Sequence, residues 1–277
     1  MTHWEERIDG ATDPALVDDH VARYAFAAPL VRTSATWVDL GCGNAVAAAR
    51  AIDQRPERTV LVDVSAEAVA AAARELGGGA ETHVRDLADA EDLAWLSELL
   101  AGAASPICVT AFEVVEHLEH FDGLLRCLVQ ASENGADVVL SVPNDAFWGT
   151  QNPYHRTIWS APAIDELRSM LPPETRFGAQ YELSGSWVTP DGDAQPGPAA
   201  VAGRGSGAVP SQFVLSFGPR VADAEPVAAV RVADWAARRR WERQREADLA
   251  YFADEIEVLR RRLREATTTP PSQEPMA

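Results

Sequence analysis

The sequence predicts an α/β fold of the nucleotide-binding kind, on three observations. First, the stretch Thr36-Trp37-Val38-Asp39-Leu40-Gly41-Cys42-Gly43-Asn44-Ala45 passes from an apolar run through an acid to two glycines one residue apart, and then into an alanine-rich helical segment. That order reads as strand, tight loop, helix. Second, three successive apolar runs end at or beside an acid, namely Asp39, Asp63 and Asp86, and open α/β sheets bind ligands at the C-terminal ends of their strands. Third, helix-periodic segments alternate with these runs, as parallel βαβ units require.

Taken in order, residues 1–14 are polar and expected to be loosely ordered. Ala15–Arg32 carries Leu16, Val17, Val21, Tyr24, Ala25 and Ala28 at helical spacing, and His20 and Tyr24 are placed to reach a ligand or simply to pack. The first strand leads through the glycine loop into a helix expected from Ala45 to about Asp53. The next apolar run, Thr59 to Val62, ends in Asp63, 20 residues after Gly43 and about where a nucleotide fold places a ribose-binding carboxylate. Ser65 is a good N-cap for a helix to about Leu76, which Gly77-Gly78-Gly79 ends. Glu81 to Arg85 is a third strand running into Asp86-Leu87, and Asp89 to Ala101 a helix turning Leu93, Leu96, Leu99 and Leu100 inward.

Pro106 to Phe112 is the fourth strand, followed by Glu113-Val114-Val115-Glu116-His117-Leu118 and a helix through Leu124, Leu125, Leu128 and Val129. Asp137 to Val142 is the fifth strand, stopped by Pro143-Asn144. The loop from Phe147 to Arg156 is rich in aromatic and polar residues, and its Trp148 and Tyr154 suit stacking on an acceptor as well as core packing. Ser160 caps a helix with Pro162 in its first turn. Arg176–Leu183 and Gln212–Phe217 are the last two strands, separated by a long loop, 184–211, heavy in Gly, Pro and Ala. Residues 221–266 form a charged helical extension whose Leu249, Phe252, Ile256, Leu259 and Leu263 have heptad spacing, a candidate homodimer seam, and 267–277 is expected to be disordered.

The chain has 277 residues, 47% of them hydrophobic, enough for one α/β domain with appendages. Its formal net charge of −18 opposes binding to nucleic-acid phosphates and to anionic membranes and favours a small-molecule or glycan partner. Cys42, Cys108 and Cys127 make no C-x-x-C pair and read as free thiols in a reducing compartment. Neither a leader pattern nor an apolar run of membrane-spanning length is visible, so a cytoplasmic protein is expected.

Glu113-x-x-Glu116-His117 is the second chemical cluster. On a helix the positions i, i+3 and i+4 share one face, so two carboxylates and an imidazole would converge at a strand end. His155, on the loop after the next strand, adds a fourth donor. Glu113, Glu116, His117 and His155 suit Mg²⁺ or Mn²⁺ with two positions left for substrate oxygens. Alternatively His155 is a general base without a metal, or Glu116 and His117 merely cap and pack the helix.

Gly41-x-Gly43-x-Ala45, with the acid two residues earlier and Val46 where a dinucleotide oxidoreductase carries glycine, resembles the first motif of class I S-adenosylmethionine-dependent methyltransferases. The resemblance spans roughly Trp37 to Pro143. It implies a Rossmann-like, seven-stranded, mostly parallel sheet with helices on both faces, an antiparallel last pair, and a first helix lidding the cofactor. It also implies S-adenosylmethionine as cofactor, with Asp63 matching the ribose acid and Asp86 the adenine-side acid. Asp39, Gly41, Cys42, Gly43, Val64, Leu87 and Phe112 complete the expected contacts. Glu-x-x-Glu-His followed by a later His resembles metal-dependent O-methyltransferases, among them small-RNA 2′-O-, quinone-biosynthesis and polysaccharide enzymes. Ser141–Asn144 with Asn152–His155 looks most like the bacterial sugar and glycan type, and charge disfavours RNA. The expected activity is methylation of a small-molecule or glycan hydroxyl, with Glu116, His117 and His155 acting on the acceptor. The rivals are a metal-independent N- or C-methyltransferase and a non-catalytic scaffold.

Overall fold

The computed structural model describes residues 14–148, 154–181 and 210–221, together with the two helical positions 256 and 260. Residues 14–221 fall in the first of two units, Met1–Val232; the second is Ala233–Ala277. Each apolar run of the sequence becomes a strand: β1 Thr36–Leu40, β2 Arg58–Asp63, β3 Glu81–Val84, β4 Ile107–Phe112 and β5 Ala136–Pro143. The two later runs become β6 Arg176–Gln180 and β7 Gln212–Phe217. They form one seven-stranded sheet in the order β3-β2-β1-β4-β5-β7-β6. The first five strands are parallel, and β7 runs antiparallel between β5 and β6. This is the Rossmann-like architecture of the expectation.

The helices are α1 Pro14–Arg32, α2 Val46–Ala51, α3 Ala66–Glu75, α4 Ala90–Ala101, α5 Asp122–Glu133, α6 Asp145–Trp148 and α7 Ala161–Ser169. Central strands read as unbroken apolar runs because both sheet faces are covered; every residue of β1, β4 and β5 is buried. Alternation along each strand splits the core in two. Val38, Leu40, Val109, Val138 and Leu140 pack with Leu96, Leu124 and Leu128 of α4 and α5. Trp37, Leu61, Cys108 and Val139 pack with Tyr24, Ala28, Ala48 and Val69 of α1, α2 and α3. Period two therefore puts Asp39 on the face of Trp37, beneath α1.

Local signals set the helix ends. Ser65 Oγ accepts from Ala68 N at 3.3 Å at the start of α3. Asp89 caps α4 by accepting from Glu91 N and Asp92 N at 2.8 and 3.2 Å. Beyond β7, Arg220 pairs with the fully buried Asp137 and donates to Thr33 and Ser34, tying the segment after β7 to β5 and to the turn after α1.

Three expectations need correction. α2 starts at Val46, not Ala45, because Ala45 takes a left-handed φ of 58° as the N-cap. The segment after β4 makes a single 3₁₀ turn, Val115–His117, rather than an α-helix. β6 ends at Gln180, short of Leu183. The 184–211 loop except its last two residues, the extension 221–266 except Val221, Ile256 and Arg260, with the dimer expected of it, and the tail 267–277 lie outside the described residues.

Candidate active site

The C-terminal ends of β1, β2 and β4 build the first half of the site. Cys42 N donates to Val62 O at 3.0 Å, so the glycine loop folds over the end of β2. Asp63 then clamps it: Oδ2 accepts from Gly43 N at 3.0 Å and Oδ1 from Ser65 N at 2.9 Å. Each oxygen keeps a second lone pair for a ligand hydroxyl. Gly41 and Gly43 are both left-handed, with φ of 66° and 52°, but for different reasons. A Cβ on Gly41 would collide with Val114 Cγ2, whereas a Cβ on Gly43 would meet nothing within 4 Å. Gly41 lets two loops touch; Gly43 keeps an open face beside Asp63, room for a ligand against bare backbone.

Flanking that face, Val64 is 62% exposed, an unusual state for a valine at a strand end. Asp86 lies just beyond the neighbouring strand β3, exposed, with Oδ1 accepting from Ala88 N at 2.9 Å, and Leu87 beside it is buried. Phe112 is buried at the end of β4, edge-on to Tyr24 with centroids 4.9 Å apart. Cys42 is buried, and burial pushes its thiol far above the ordinary range, so it holds its proton and is no nucleophile.

Asp39 is fully buried below the loop. Tyr24 hydroxyl donates to Oδ2 at 2.8 Å and Thr110 hydroxyl to Oδ1 at 2.6 Å, while Trp37 Nε1 donates to Thr110 at 2.8 Å. Burial raises its pKa to about 7 against the lowering effect of the two hydrogen bonds. The same burial, then the Asp39 charge, hold the Tyr24 hydroxyl well above its usual range. This Asp39 network, which ties α1 to β1 and β4, was not foreseen from the sequence; only the helical phase of Tyr24 hinted at it.

The second half of the site lies beyond β4 and β5. One ligand atom each from Glu116, His117 and His155 lie within 4.8 Å of one another. Glu116 is fully buried, and the two imidazoles meet edge to face at 5.2 Å. A 3₁₀ turn alone does not assemble this group. Arg156 N and Thr157 N both donate to Glu116 O, at 2.7 and 3.3 Å, and so carry His155 against the turn. Glu113, the expected fourth donor, stands apart. Its backbone turns left-handed at φ 55°, and its Oε1 accepts from Ser141 Oγ at 2.6 Å. Around the imidazoles, His117 Nδ1 is 3.3 Å from Tyr154 O and His155 Nδ1 is 3.3 Å from Asp145 Oδ1. Tyr154 is 41% exposed. Asp145 was not singled out by the sequence, though an acid directly after Pro143-Asn144 at a strand end was a signal of the same kind as Asp63 and Asp86.

Residues 11–176 match the family profile described as a methyltransferase domain. No curated protein is matched. Among solved structures, the methyltransferase domain of bacterial CtHen1 is similar at 15% identity and TM-score 0.48, covering 72% of this chain and 98% of that one. The N-methyltransferase NodS from Bradyrhizobium japonicum WM9, in complex with S-adenosyl-L-homocysteine, is similar at 13% identity and TM-score 0.46, covering 75% and 88%. The plantazolicin methyltransferase BamL is similar at 9% identity and TM-score 0.46, covering 76% and 86%.

Proposed function

The chain belongs to the methyltransferase-domain family and is an S-adenosylmethionine-dependent methyltransferase, and from that premise we propose that it methylates a hydroxyl of a small molecule or glycan with the help of a divalent ion. The observation that carries this reading is the Glu116–His117–His155 group, at the C-terminal edge of β4 and β5 and one loop away from the glycine cradle.

The cradle fits the cofactor, since the face where a Gly43 Cβ would stand is open, while the Gly43 N–H holds the Asp63 carboxylate next to it. Gly41, Cys42 and Gly43 would contribute backbone, Asp63 the ribose acceptor, and Val64, Asp86 and Leu87 the adenine side. Asp39 and Phe112 support the loop from below. S-adenosylmethionine supplies the methyl group on a sulfonium, and the chain's residues hold and orient what reacts with it.

A neutral hydroxyl is a poor nucleophile, so its proton must be weakened or removed. One carboxylate and two imidazoles within 4.8 Å form a donor set that suits Mn²⁺, with Mg²⁺ served mainly by the carboxylate. The ion would lower the pKa of a hydroxyl bound to it. Buried Glu116 supplies the negative charge, and His117 and His155 complete the ligand set. Glu113, held by Ser141, serves the shape of the turn rather than the ion. The His155–Asp145 contact favours a second reading, in which His155 takes the acceptor proton directly as a base oriented by a carboxylate.

Electron paramagnetic resonance of Mn²⁺ with S-adenosylhomocysteine present separates the two. The metal reading expects binding by the wild type that His155→Ala weakens at least tenfold. Absence of Mn²⁺ binding by the wild type removes the ion and leaves His155 as base.

A further inference from the structure

We propose that Asp145 is the positioning residue of this site, fixing His155 in the Nδ1–H tautomer so that Nε2 is the nitrogen offered to the reaction. The proposal rests on the functional reading above in placing His155 at the site, but not on which of its two chemistries operates.

The geometry is a clasp. Asp145 opens the four-residue helix α6, separated from the end of β5 by one residue. Its backbone N donates to Trp159 O at 3.1 Å, and its Oδ2 accepts from Trp159 N. Trp159 is itself fully buried in the core under α7, so the clasp is anchored. The two bonds close the span from residue 145 to 159, and His155 lies inside it. The other carboxylate oxygen, Oδ1, is 3.3 Å from His155 Nδ1, and both side chains are only 10% exposed. One acid therefore does two things: it closes the loop and touches the ring.

The chemistry follows from what a carboxylate can do. An ionised carboxylate only accepts, so its partner nitrogen must carry the proton. A neutral imidazole has one N–H, and with it on Nδ1 the lone pair is on Nε2. His117 obeys the same rule through a different acceptor, since Tyr154 O at 3.3 Å from its Nδ1 can only accept. Two unrelated acceptors thus set the two rings, 5.2 Å apart, in the same tautomer. Partners of this type, carboxylate or backbone carbonyl, fix ring orientation and ligand basicity at metal sites, and the same arrangement aims a base. Asp145 acts through His155, the ring its Oδ1 touches.

Asp145→Asn tests this, because it separates the two jobs. The amide oxygen can still accept from Trp159 N, so the loop stays closed. The amide N–H₂ then faces Nδ1, which must become the acceptor, and the proton moves to Nε2. The readout is the His155 tautomer, from long-range ¹H–¹⁵N correlation spectra of ¹⁵N-histidine protein at a pH where the rings are neutral, with His155→Ala to assign the signal. Wild type should show Nδ1–H and Asp145→Asn should show Nε2–H, with circular dichroism unchanged. Where the wild type binds Mn²⁺, the variant should bind it about 10- to 100-fold more weakly. An Nε2–H tautomer in the wild type overturns the proposal without any variant, and so does an unchanged tautomer in a folded Asp145→Asn protein. If the wild type binds no Mn²⁺ but the tautomer switches as expected, the ion is lost and Asp145 stands. If Mn²⁺ binding depends on His155 but neither tautomer nor affinity responds to Asp145→Asn, the ion stands and Asp145 falls.

Discussion

Asp39 shows how opposing effects at one residue are decided by size. Two hydroxyl donors, Tyr24 and Thr110, favour its charged form, and complete burial disfavours it. Burial wins, with a smaller push from the Asp63 charge, and the pKa rises to about 7. For an acid, a folded pKa above the unfolded one means that the folded state holds a proton the unfolded state has released. Asp39 therefore lowers stability progressively as pH climbs from about 4 to about 7. Asp39→Asn keeps the shape and one of the two hydroxyl donors, turns the other hydroxyl into an acceptor from its amide N–H, and cannot ionise. Its melting temperature should gain on the wild type between pH 5 and pH 8, measured by calorimetry at both. A difference that is the same at the two pH values would mean Asp39 titrates normally. The sequence announced Asp39 as a cofactor contact; the hydroxyls that make it a structural acid come from residues 15 positions upstream and 71 downstream, and no local pattern records them.

Among elements, those whose cause is local were legible and those whose cause is distant were not. Ser65 and the triple glycine after α3 mark their helix ends in the sequence, and the structure uses both. The spacing of Glu113, Glu116 and His117 predicts one helical face after β4, but the chain makes a single 3₁₀ turn there. A left-handed Glu113 and the donors from Arg156 and Thr157, 40 residues or so away, decide its form instead. The glycine loop separates local from distant cause experimentally. Gly41→Ala imposes a left-handed φ on a residue with a Cβ and drives it into the stiff, β-branched Val114. The expected loss is about 2–5 kcal/mol of stability, the sum of conformational strain and overpacking. Gly43→Ala carries only the strain, about 1–2 kcal/mol, but puts a methyl on the open face. Urea unfolding together with S-adenosylhomocysteine titration should therefore give opposite rankings: Gly41→Ala worse for stability, Gly43→Ala worse for binding once the protein is folded. Unimpaired binding by Gly43→Ala would move the cofactor off that face.

At the scale of the whole molecule, the sheet order brings β1, β2, β4 and β5 together so that their C-terminal ends present both halves of the site along one edge. The alternation of runs and the acids at their ends foretold that edge, but not which acid has a structural duty as well. The structural duty of Asp63 is plain: Oδ2 accepts from Gly43 N and fastens the glycine loop to β2, and Oδ1 accepts from Ser65 N at the start of α3; the ribose contact proposed for it would be a second duty. The two duties separate in a thermal experiment. A ligand that binds only the folded state adds about 2.7 kcal/mol at 100 times its Kd, which is about 5–11 °C for a domain of this size. S-adenosylhomocysteine should raise the wild-type melting temperature by that amount at saturating concentration. Asp63→Ala should melt lower without ligand, since two part-buried donors lose their acceptor, at about 1 kcal/mol each, and should show almost no rise with ligand. Asp63→Asn keeps an acceptor for one donor, so its ligand-free melting should fall between the two. Its ligand-induced rise should stay small, because a neutral amide accepts from ribose hydroxyls more weakly than a carboxylate does. A full ligand-induced rise in Asp63→Ala would confine Asp63 to holding the loop and move ribose recognition to another residue of the same edge.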